Sequence, residues 1–105
     1  MDETDIQKLF KSVVEHPGQD TDAARQVFSI LVKSTLKYRD DVLAEKGIVI
    51  TVDDVRACLA WLVPALATGT MPDTENRIRL GLLKFWLKEL RHVGLPYANN
   101  NSKTG

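Results

Sequence analysis

Few residues of this chain could do catalysis or bind a metal. They are His16, His92, Cys58 and the adjacent acidic pairs Asp40-Asp41 and Asp53-Asp54. A base, a nucleophile or a metal site needs several such groups converging on one point. The two histidines are far apart in sequence, and neither has a second nitrogen or a thiolate at ligand spacing. Neighbouring carboxylates on a helix point about 100° apart, so neither acidic pair aims at a single atom, and a helix-capping role accounts for Asp53 and Asp54 without a cation. Cys58 falls among Leu59 and Leu62, where a thiol behaves as a small hydrophobe. Asp54, one turn upstream, opposes thiolate formation. The six glycines are isolated, so no phosphate-cradling loop is present. The chain reads as a non-enzyme, with no catalytic, cofactor-binding or metal-ligating residue and no cofactor.

Recognition is the chemistry the sequence offers instead. Arg77, Lys84, Lys88 and Arg91 recur at i, i+7, i+11 and i+14, one line along a helix, and Gly81 lies on the same line. Glycine inside a helix is about 1 kcal/mol less favourable than alanine, which predicts a close approach at Gly81 by another backbone or by a phosphate chain. Ile78, Leu80, Leu82, Leu83, Phe85, Trp86, Leu87, Leu90 and Val93 surround the rest of that helix. A helix that is apolar nearly all round must be covered on nearly all sides. In so short a chain this surplus predicts a partner, most simply a second copy. Trp61, flanked by Ala57 and Ala65, offers a flat side and an aromatic anchor of the kind enriched at interfaces. The expected partner-binding residues are therefore Trp61, Arg77, Gly81, Lys84, Trp86, Leu87, Lys88 and Arg91.

The elements that carry these residues follow from hydrophobic periodicity. Ile6, Leu9, Phe10, Val13 and Val14 form one helical face over about residues 5–15, and Pro17-Gly18 stops it. A polar connector leads to a long helix ending near Lys46, with Ala24, Phe28, Leu31, Thr35, Tyr38 and Val42 as its packing seam and Gly47 as its left-handed terminator. Ile48-Val49-Ile50 is the one strand-like run, either a buried linker or a segment pairing across two chains. Thr51 to Val55 is the best start signal: Thr51 and Asp54 make a capping box, with Ile50 and Val55 as a hydrophobic staple. Val55, Cys58, Leu59, Leu62, Val63 and Leu66 form the next face, with a kink or break expected at Pro64 and an end at Gly69. The last helix is expected from Asp73 or Thr74 to Val93, closed by Gly94 with Leu95 folding back. Short connections favour antiparallel neighbours. The expectation is an all-α protein, a compact bundle of four to five helices with one long central helix, forming a single domain over residues 1–97 with a disordered polar tail at 98–105.

The totals restrict function further. The 105 residues carry 14 Lys plus Arg and 14 Asp plus Glu, which speaks against a dedicated nucleic-acid coat but not against local patches. From Asp40 to Asp54 there are five carboxylates against Lys46 alone, and from Arg77 to Lys103 six bases against Glu89 alone. These opposite poles allow internal pairing, head-to-tail contact between copies, or an anionic partner. One cysteine, an acidic N-terminus without signal-peptide layout, and no apolar run near the roughly 20 residues of a membrane span predict a soluble, cytoplasmic protein without membrane contact.

A short helix, a long helix, a β-like loop and then Ile50-Thr51-Val52-Asp53-Asp54-Val55-Arg56 entering a third helix resembles the histone fold over about residues 6–63. The chain departs from that pattern in having Val49, preceded by Ile48, where the family has a threonine often preceded by a base. It also has Gln19-Asp20-Thr21-Asp22 in place of an apolar loop segment. The resemblance implies nucleic-acid binding. The reading from the residues themselves is a helical protein–protein interaction module, a homodimeric regulator, adaptor or small subunit, with nucleic-acid binding through the basic line as the alternative.

Overall fold

The structure, a computed structural model, describes residues 1–14 and 22–92. Within them lie α1 (Glu3–Val14), α2 (Asp22–Lys46), α3 (Val52–Thr68) and α4 (Arg77–His92), with no strand among the described residues. The protein is an all-helical bundle. No helix of the described residues is long and apolar enough to cross a membrane. The stop at Pro17-Gly18, the Gly94 closure, the domain's end at residue 97 and the tail at 98–105 fall outside the described residues.

Each helix packs on two neighbours. α1 lies on α2 and α3, and α4 lies on the same two. Phe10 and Trp86 meet edge-to-face across the diagonal, with ring centroids 5.5 Å apart. Ile6, Phe10, Leu31, Ile50, Val55, Cys58, Leu82, Leu83, Trp86 and Leu90 make a single interior. Its polar groups are settled: the Trp86 N–H donates to the Thr35 hydroxyl, which donates to the Leu31 carbonyl. No buried side-chain nitrogen or oxygen among the described residues lacks a partner.

The contacts set the direction of each helix. Arg39 of α2 donates to the Met1 carbonyl, and Tyr38 donates to the Ile78 carbonyl while Thr35 meets Trp86. α2 therefore runs against both α1 and α4. Asp54 pairs with Arg79, the Cys58 thiol donates to the Arg79 carbonyl, and Ala65 and Gly69 lie beside Leu87, Lys88 and Arg91. Residue numbers rise together, so α3 and α4 are parallel neighbours, not the antiparallel pair expected. Residues 69–76 allow this: eight residues reach at most ~29 Å, enough to return along the ~26 Å of α3.

Most of the local signals work as expected. Thr51 caps α3 with the full capping box, the Asp54 carboxylate accepting from the Thr51 N–H at 3.0 Å. Ile50 and Val55 are both buried, as a staple requires. Ile48-Val49-Ile50 forms no strand within the protomer and is not a buried linker, since only Ile50 is enclosed. Gly47 and Gly69 have φ of 67° and 74°, the left-handed region in which glycine is unstrained. α3 runs through Pro64 without a break; Pro64 is exposed, so its ring lies on the solvent side of the helix. α4 starts later than expected, because Asn76 is its cap: the Asn76 side-chain oxygen accepts from the Arg79 N–H at 3.0 Å.

Asp54 joins the cap to the tertiary fold, since its second oxygen accepts from Arg79 Nε at 2.7 Å. Partial burial raises the Asp54 pKa, but the Thr51 N–H, the Arg79 guanidinium and the Thr51 hydroxyl outweigh it and hold the carboxyl below its ordinary value. A carboxyl with a lower pKa folded than unfolded stabilises fully above the unfolded value, and this is lost as pH falls through the folded value. Asp54→Asn is expected to lower stability by about 1–2 kcal/mol at neutral pH. In urea titrations at a series of pH values the gap from wild type should close on acidification through the carboxylate range. A gap independent of pH would contradict this account.

Candidate functional site

α4 presents three faces to the bundle and one to solvent. Leu82, Leu83, Trp86, Leu87 and Leu90 are buried, and Ile78, Leu80 and Phe85 partly so. The expectation that one copy cannot cover this helix is corrected here. α2 and α3 flank α4 while Phe10 of α1 closes on Trp86. Trp86 and Leu87 are core residues, not surface anchors. Trp61 is half-buried against the same core.

Gly81 is also explained from within the protomer. A Cβ there would collide with the Tyr38 hydroxyl, which is held in place by donating to the Ile78 carbonyl at 2.8 Å. The close approach read from the sequence is real, but what approaches is a tyrosine of α2, not a partner backbone or a phosphate. Arg77 is exposed at the start of α4, some 21 Å from Arg91 along the helix axis, and does not share a site with it.

The remaining bases converge. Lys84, Lys88 and Arg91 line an open cleft of about 550 Å³ between α3 and α4, with His92 beside them and Ala65, Gly69, Met71 and Leu87 completing its walls. Among the described residues no carboxylate lies within ion-pair distance of these three bases. Of these, Arg91 stands in the last turn of α4, where the helix dipole favours cations. The lining is thus apolar between the helices and cationic along the rim. Sequence reasoning found the bases but not Met71, Ala65 or Gly69. Those come alongside only because α3 and α4 are parallel, and no residue pattern announces that register.

The other candidates lie elsewhere. Cys58 is buried, and burial pushes its thiol up to about 12, so it stays protonated. His16 lies outside the described residues, and His92 is exposed. Asp53 pairs with Arg56 and Asp54 with Arg79, while Asp40 pairs with Arg39 and Asp41 with Lys37.

Comparison with protein-family models, curated proteins and solved structures returns no match. The resemblance to the histone fold gains no support from these comparisons.

Proposed function

We propose that the protein is a small helical interaction module, a regulator, adaptor or small subunit, that docks an acidic and partly apolar segment of a protein in the α3–α4 cleft. The observation that carries this reading is the row Lys84, Lys88 and Arg91, which has no ion partner among the described residues, beside the exposed Met71 side chain. Apolar contact supplies affinity, and the rim charges select an acidic partner and speed encounter. The same bases would also suit a phosphate backbone. Against that, the aromatics of α4 face inward, Phe85 on Tyr38 and Trp86 on Phe10, so none stands on the basic line to stack a base.

A photo-crosslinking residue at Met71, which is exposed, tests this in extract of the source cell. The expected result is a nuclease-resistant adduct mapping to an acidic protein segment, lost in Lys84→Glu/Lys88→Glu. Those positions are exposed, so stability should stay within about 0.5 kcal/mol of wild type. A nuclease-sensitive adduct would replace this reading by nucleic-acid binding, and an adduct indifferent to charge reversal would refute the cleft.

A further inference from the structure

We propose that the acidic group recognised by the α3–α4 cleft is a phosphate monoester, so that a protein segment docks there once one of its residues is phosphorylated. This rests on the cleft being a docking site for an acidic protein segment, and it names the chemistry of the acid.

The cleft offers a ligand much charge and little apolar surface. Leu87 and Ala65 are 7% and 4% exposed, whereas Met71 is 37% exposed. Met71 is thus the one large apolar side chain of the lining that a ligand can reach. Lys84, Lys88, Arg91 and His92 are all exposed, and none of the lining residues is acidic. Asp73 and Glu75, on the connector beyond Met71, form no ion pair with the three bases. Apolar contact at Met71 supplies a share of the affinity. The bases must supply the rest, and their spacing decides which anion can use them together.

Along the axis of α4, Lys84 lies about 6 Å before Lys88, and Arg91 about 4.5 Å after it. The three share one side of the helix, and flexible side chains from both directions can converge over Lys88. A ligand carboxylate carries a single charge, and exposed pairs of one base with one carboxylate contribute little each. Engaging the whole row with carboxylates requires several ligand side chains, each ordered at its own place. A phosphate monoester instead puts about −1.5 to −2 charge and three strong acceptor oxygens on one group. The Arg91 guanidinium can donate to two of those oxygens as a fork, while Lys84 and Lys88 approach as point charges. His92, also on the lining, adds a ring N–H donor. One ordered group thereby answers the whole row, which is the economy this cleft requires when Met71 is its only reachable apolar anchor.

Nuclear magnetic resonance titration of the isotope-labelled protein tests this with two glycine-flanked peptides of one sequence, one carrying phosphoserine and the other glutamate in its place. The phosphoserine peptide should shift the backbone amides of Lys84, Lys88, Arg91 and Met71 and bind about tenfold tighter than the glutamate peptide. Lys84→Glu/Lys88→Glu should abolish the shifts with an unchanged far-ultraviolet circular dichroism spectrum. Arg77→Glu reverses a charge on the same helix outside the cleft and should leave them in place. Equal binding of the two peptides overturns the inference, as does phosphoserine binding that survives reversal at Lys84 and Lys88 or is lost equally in Arg77→Glu. In cell extract, phosphatase treatment beforehand should remove the Met71 adduct. An adduct that survives phosphatase but is lost in Lys84→Glu/Lys88→Glu overturns phosphate recognition and leaves docking of an acidic segment standing. If no adduct forms in either extract and neither peptide binds, both readings fall.

Discussion

Replacing Trp86 with alanine is expected to leave too little stability for the protein to stay folded. The Trp86 side chain is fully enclosed, packed edge-to-face on Phe10 and hydrogen-bonded through its N–H to Thr35 at 3.0 Å. Truncating a buried tryptophan removes about 3–5 kcal/mol. Domains as a class have about 5–15 kcal/mol in total, and small chains bury a smaller fraction of their surface than large ones. Trp86→Phe should be much milder, about 1–2 kcal/mol, because it keeps most of the ring volume and the Thr35 hydroxyl still donates to the Leu31 carbonyl at 2.6 Å. Urea denaturation followed by far-ultraviolet circular dichroism measures both. A wild-type midpoint for Trp86→Ala would mean that Trp86 does not hold α1, α2 and α4 together.

Gly81→Ala should destabilise the protein even though alanine is the better helix former. The gain in helix propensity is about 1 kcal/mol. Against it, the new methyl group must displace the Tyr38 hydroxyl, breaking its bond to the Ile78 carbonyl and straining a ring that also lies against Phe85. Overpacking of this kind costs about 1–3 kcal/mol, so the net change is a loss. Tyr38→Phe removes the colliding atom. In that background Gly81→Ala should do much less harm, giving a coupling of at least about 0.5 kcal/mol in a double-mutant cycle. Additive effects would show that the glycine answers to something other than Tyr38.

Much of the fold is legible in the residue order. Thr51, Asp54 and the Ile50–Val55 staple mark the start of α3, and Gly47 and Gly69 mark two helix ends, because capping is chemistry between residues a few positions apart. Where a local signal misled, the surroundings explain it. Pro64 does not break α3, since it sits on the solvent side. Asn76, not Asp73 or Thr74, caps α4, and a turn with several polar residues does not reveal which of them takes the cap.

The candidate site was only half legible. The line from Lys84 to Arg91 is a matter of helical period, and it is visible in sequence. Its neighbours in the cleft are not, because they arrive through contacts between α3 and α4.

By itself the sequence determined an all-helical chain of four to five helices, most of their ends and the basic line, since each depends on spacings of three, four or seven residues along one chain. Only the tertiary structure decided that α4 is covered from within, that Tyr38 fills the space above Gly81, and that α3 lies parallel to α4 to make a cleft. Those outcomes depend on which faces meet and in which direction, and helix packing sets both through the shape of the whole interior rather than through any local pattern.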